Sequence, residues 1–125
     1  MFAQPELEAA LKAVLSTIHK SERVQATLSA KQPPRTAQLK AGAQKLKALR
    51  IAADLIEREM EAGITVHYAL TDLEDAIQTT LSFIRQIEKV KPNFAEGTPQ
   101  HTLAVRRIRA FEIAVALMER EMAKD

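Results

Sequence analysis

The tetrapeptide Glu-Arg-Glu-Met occurs twice in this 125-residue chain, as Glu57-Arg58-Glu59-Met60 and Glu119-Arg120-Glu121-Met122. Glutamates from facing helices of a bundle can converge on a pair of metal ions. That chemistry also needs Glu-x-x-His on two helices, and the chain has none. His19, His67 and His101 do not occupy equivalent repeat positions, so they form no symmetric ligand set. Ser16, His19 and Glu22 have helical spacing and could form a serine, base and orienting acid. No oxyanion donor accompanies them, the position equivalent to His19 holds Arg85, and such triplets are common by chance. Gly42, Gly63 and Gly97 stand apart, so no phosphate-cradling loop is present. The absence of cysteine excludes disulfides and thiolate metal sites. The pattern therefore predicts a non-enzymatic protein with no catalytic residue, cofactor or metal. Met60 and Met122 are expected to cap a core, with Arg58 and Arg120 pairing to neighbouring acids such as Asp54.

The elements that position these residues are themselves repeated. Residues 7–24 align with 73–90, with 8 of 18 pairs identical, and residues 36–60 align with 98–122, with 10 of 25 identical. The offsets are 66 and 62, so the loop inside the second copy is four residues shorter. This is a duplicated helical hairpin. It predicts an all-α fold: one domain over 1–125, an up-down-up-down four-helix bundle whose repeats run from about 5 to 62 and from about 65 to 123.

Helix 1 should run from about Pro5 to about Leu28, with Leu7, Leu11, Val14 and Ile18 on one face. Pro33-Pro34 interrupts the pattern, Thr36 is the expected N-cap of helix 2, and Gly63 its expected C′ residue. Helix 3 could start after Thr65 or after Thr71. The helical rhythm of Val66, Leu70, Leu73 and Ile77 favours the earlier start, and the helix should end before Pro92. Thr98 and Pro99 make an N-cap and N1 pair for helix 4, which should reach about Ala123. Gly42, opposite Ala104 in the alignment, reads as a small residue allowing close helix approach.

Helices 2 and 4 carry two apolar stripes each. Ile51 and Leu55, and their equivalents Ile113 and Leu117, lie roughly opposite the main stripes. Either helices 2 and 4 are the central pair and the second stripe completes the core, or these four residues contact another chain. The second option is favoured slightly and predicts a homo-oligomer, a dimer first. On that option, glutamate at Ile51 and Leu55 would leave a helical monomer.

Net charge is only +2, but its distribution is lopsided. The end of the bundle bearing the 1–2 and 3–4 loops collects thirteen cations against Glu22, Glu88 and Glu96, about +10, and the other end is near −8. Cations early in helices 2 and 4 oppose the helix dipole, so local helix stability does not account for them. The candidates for binding an anion or partner are Lys40, Lys45, Lys47, Arg85, Lys89, Arg106, Arg107 and Arg109. The preferred function is a non-enzymatic, self-associating interaction module whose basic pole docks an acidic partner, an acidic protein or the acidic pole of another copy. The alternative is a small bundle that contacts nucleic-acid phosphates through the same pole. Only Phe94 lies in a loop of this pole, too few rings for a stacking platform. No apolar stretch reaches membrane-spanning length, and the first residues lack the basic-then-apolar pattern of a secretory leader, so a cytoplasmic protein without membrane association is expected.

Overall fold

A computed structural model describes residues 2–33, 35–61 and 65–124. Among these residues the chain is entirely helix, turn and loop: α1 (Gln4–Ser29), α2 (Thr36–Met60), α3 (Leu70–Val90), a 3₁₀ turn (Lys91–Asn93) and α4 (Pro99–Ala123). The proposed C′ residue of α2, Gly63, and one proline of the first loop, Pro34, lie outside the described residues. No described helix is long and apolar enough to cross a membrane.

Local chemistry sets the starts of α1 and α4. Glu6 accepts a hydrogen bond from the Ala3 amide at 3.3 Å, satisfying one of the donors left over at the start of α1. Thr98 caps α4 as expected, its hydroxyl accepting from the His101 amide at 3.3 Å. Just upstream, the Thr98 amide closes a turn onto the Ala95 carbonyl, and Gly97 supplies its left-handed residue at φ +85°. Thr36 is the first residue of α2 rather than its cap, and Arg35 in the cap position makes no side-chain cap bond.

Helix 3 starts later than its rhythm suggested. Residues 65–69 are non-helical, and α3 begins at Leu70. This segment is a strap tied to α2. Arg58 donates to the Val66 carbonyl at 3.2 Å, and the Tyr68 hydroxyl donates to the Asp54 carboxylate. Val66 and Tyr68 also pack against the core. Burial and the Asp54 bond push the Tyr68 pKa upward, so the phenol stays protonated and donating.

The interhelical bonds give the topology. Along α2, residues 47, 54 and 58 meet residues 72, 68 and 66, so the chain returns antiparallel. In the first hairpin Glu22 meets Arg50 and Gln25 meets Leu39, again antiparallel. α2 and α4 therefore run in the same direction, related by a pseudo-two-fold axis along the bundle. They also touch each other directly, whereas α1 and α3 make no substantial contact.

That packing corrects the assignment of the second stripe. Ile51, Leu55, Ile113 and Leu117 are 3, 1, 1 and 1 % exposed and belong to the chain's own core. The reason is geometric. Each of α2 and α4 has three helical neighbours, and a helix with three neighbours needs apolar residues on two arcs. α1 and α3 have two neighbours each, and one arc suffices. The four residues are not a surface for a second copy.

The core occupies only part of the bundle's length. It is built from the first halves of α1 and α3 (Leu7, Val14, Leu73) and the second halves of α2 and α4 (Leu55, Ile56, Ile113, Leu117). This is the half that carries the termini, and the loop half is packed differently.

Candidate functional site

The two EREM motifs meet across the axis. Arg58 pairs with Glu121, and Arg120 pairs with Glu59 through both guanidinium nitrogens. Arg58 and Arg120 are repeat equivalents, as are Glu59 and Glu121, so the arrangement is one reciprocal pair of ion pairs. The expected i, i+4 partner, Asp54, is instead held by Tyr68. The Arg58 and Glu121 side chains are 17 and 10 % exposed, so water competes little for the pair. The arginine hydrogen bonds hold the carboxyl groups of both Glu59 and Glu121 below the usual carboxylate range. These carboxylates are already committed, and the motif serves as a clasp between α2 and α4.

A second set of pairs also obeys the repeat. Lys47 bonds Asp72 at 2.7 Å and Arg109 bonds Glu6 at 3.0 Å, where Lys47 and Arg109 are equivalent, and so are Asp72 and Glu6. Arg109 also lies over the Phe2 ring, 5.7 Å from its centroid. The hydrogen bond to Asp72 raises the pKa of Lys47, and that from Arg109 lowers the pKa of Glu6. Two of the eight candidate cations are thus neutralised by acids from the first turns of α1 and α3. Sorting charges by position along each helix put these acids at the opposite pole and missed the pairing.

The other six candidates, Lys40, Lys45, Arg85, Lys89, Arg106 and Arg107, form no salt bridge among the described residues. All lie in the loop half of the bundle. Lys20 is also free of ion pairs among the described residues and sits near them. Lys40 borders a shallow cleft shared with Lys47, Asp72 and Asp75, whose acids offset its charge. Lys45 and Arg107, which are repeat equivalents, face a larger cavity together with Lys20.

That cavity, about 510 Å³, opens between all four helices. Its apolar wall is formed by Val24, Leu28, Phe83, Ile87 and Phe111, with Phe83 and Phe111 ring centroids 5.3 Å apart. The repeat explains why space remains. Thr17 and Ser21 of α1 stand where the second copy has Phe83 and Ile87. One wall is large and apolar, its counterpart small and polar, and the small side chains do not fill the gap. Val24, Val90, Leu103 and Val105 in this half are substantially exposed, as are Leu15 and Leu70 in the other.

Gly42 lines the same cavity and has a specific partner. The Gln25 amide nitrogen donates to the Leu39 carbonyl at 3.0 Å, which seats the amide oxygen against Gly42. A Cβ at Gly42 would stand 2.1 Å from that oxygen. Among the described residues the oxygen is buried without a hydrogen-bond partner, a local weakness in this half.

The remaining candidates do not assemble. Ser16, His19 and Glu22 are exposed on α1, and Glu22 bonds Arg50 at 3.1 Å. His19, His67 and His101 lie on α1, the strap and α4. Among the described residues, no three His, Cys, Asp or Glu side chains converge as a metal site. The sequence reading missed the cavity. Its signal was the divergence of positions 17 and 83, and of 21 and 87, within an otherwise conserved rhythm. No protein-family model, no curated protein and no solved structure matches this chain.

Proposed function

We propose that this chain is a non-enzymatic interaction module whose basic loop pole docks an acidic protein segment. The observation that supports it is the separation of two kinds of cation. Lys47, Arg58, Arg109 and Arg120 are consumed by internal pairs, whereas Lys45, Arg85, Lys89, Arg106 and Arg107 form no ion pair among the described residues and share one end of the bundle. Like charges gathered at one end repel one another and raise the local positive potential, which an acidic partner relieves. An apolar cavity lined by two of these cations, Lys45 and Arg107, favours a partner with apolar side chains over a phosphate backbone. Self-association through Ile51, Leu55, Ile113 and Leu117 is not part of the proposal, because those residues are core.

Fluorescence anisotropy with a labelled polyglutamate peptide, duplex DNA and an RNA hairpin tests it. The expected result is peptide binding that weakens with salt, and loses most of its affinity when Lys45, Arg106 and Arg107 become glutamate. Lys47→Gln and Arg109→Gln should leave binding unchanged. Nucleic-acid binding with log K falling by roughly 0.9 per neutralised phosphate on duplex DNA, and no peptide binding, would replace this proposal with the nucleic-acid alternative.

A further inference from the structure

The cavity is the least explained feature of the fold. It is a solvent-open cleft of about 510 Å³, in a chain that buries Leu55, Ile56 and Met118 in its other half. Its size falls within the range of clefts that bind ligands, roughly 300–1,000 Å³, and its lining has the mixture such clefts use. An aromatic and aliphatic wall offers burial, and a few polar groups at the mouth offer orientation. Beside the uncharged Thr17, Ser21, Gln25, Gln38 and Gln86, three of those polar groups are cationic: Lys20 from α1, Lys45 from α2 and Arg107 from α4. The occupant this describes is apolar at its tip and anionic around it.

A small apolar monoacid would satisfy one of these cations. Three cations from three different helices, Lys20, Lys45 and Arg107, line this one cavity, and none forms a salt bridge among the described residues. An occupant matching all three carries several carboxylates close to one large apolar side chain. We infer that the cavity between Val24, Leu28, Phe83, Ile87 and Phe111 receives a single large apolar side chain, an anchor, from an acidic protein segment whose carboxylates pair with Lys20, Lys45 and Arg107. This rests on the docking function proposed above and names what the partner must present. A buried aromatic anchor surrounded by charge complementarity is also how binding energy concentrates in interfaces.

The repeat supplies the blocking variant. Thr17→Phe with Ser21→Ile writes into α1 the residues α3 already holds at the equivalent positions, and fills the space from the side that lacks apolar volume. The chain has no tryptophan, so a tryptophan in a probe reports only on the probe.

The test uses three short labelled peptides: glutamates with a central tryptophan, the same with central alanine, and the tryptophan peptide with lysines for glutamates. Anisotropy gives affinity, and tryptophan emission reports burial. The tryptophan-glutamate peptide should bind at least about tenfold tighter than the alanine peptide, with blue-shifted emission. The lysine peptide should not bind. Thr17→Phe/Ser21→Ile, shown by circular dichroism to be folded, should bring the two acidic peptides to equal affinity and abolish the blue shift. Equal affinity of both acidic peptides for the unmodified protein would overturn the anchor while sparing the basic-pole proposal. A tryptophan advantage that survives the filled cavity would place the anchor elsewhere and also overturn it. Binding of neither acidic peptide would overturn both.

Discussion

The two ends of this bundle are built from the same four helices and the same repeated sequence, yet they are packed for different ends. In the terminal half most apolar side chains are buried, although Leu15 and Leu70 are exposed, and Arg58 and Arg120 are clasped by carboxylates of another helix. In the loop half, apolar side chains stay partly exposed around a cavity, and Lys45, Arg85, Lys89, Arg106 and Arg107 form no salt bridge among the described residues. Val14 and Val24 make the contrast within a single helix: the first is 0 % exposed and the second 57 %. The duplication does not separate these halves, since both copies contribute to each. At the cavity, equivalent positions differ in size. Leu7 and Leu73 match and close, as do Leu55 and Leu117. Thr17 and Phe83 do not match, and that part stays open. A closed half can hold a fold together while an open half keeps surface for a partner.

The comparison can be broken most violently from the closed side. Placing glutamate at both Ile51 and Leu55 puts two carboxylates where neither water nor a cation waits, at a cost of several kcal/mol each. The expected outcome is loss of helical circular dichroism. A folded helical monomer, which an exposed stripe would give, would contradict the core assignment.

A gentler form deletes the same atoms in each half. Val14→Ala should destabilise by about 2–3 kcal/mol in urea unfolding, from lost burial plus a residual cavity. Val24→Ala should change stability by less than about 0.5 kcal/mol. Equal losses would mean the loop half is packed as tightly as the core.

The clasp sharpens the electrostatic side of the contrast. Arg58→Gln leaves the mostly buried Glu121 with only the exposed Lys124, 3.4 Å away, and removes a donor from the Val66 carbonyl, so a loss of about 1–3 kcal/mol at neutral pH is expected. The pH dependence has a definite sign. Glu59 and Glu121 titrate below their ordinary value of 4.5 in the folded chain, so their contribution is complete above that pH. It drains away as pH falls from there through their lowered folded values. The unmodified protein should therefore lose stability on acidification below about pH 4.5, and Arg58→Gln/Arg120→Gln should flatten that acid limb. Parallel acid limbs in both proteins would show that the clasp contributes nothing.

Much of the fold was legible because it depends on period and punctuation. The repeat, the Thr98-Pro99 start of α4 and the apolar faces are properties of residue order. What escaped depends on which residues meet. The strap at 65–69 keeps a helical rhythm in Val66 and Leu70, but tertiary bonds from Arg58 and to Asp54 hold it away from the helix. The second stripe could not be assigned without knowing that α2 and α4 have three neighbours. Nor could Lys47 and Arg109 be separated from the free cations, because Asp72 and Glu6 reach them across helices. The cavity was written in the mismatch of Thr17 with Phe83 and of Ser21 with Ile87, a signal that means something only once those positions face one space.

The difference between the halves is most directly read by native-state amide hydrogen exchange. Amides in residues 46–57 and 110–118 should exchange only through global unfolding, and those in residues 18–28, 38–44 and 84–90 through local opening at much lower free energy. Uniform protection along each helix, with the loop half as slow as the terminal half, would contradict the account.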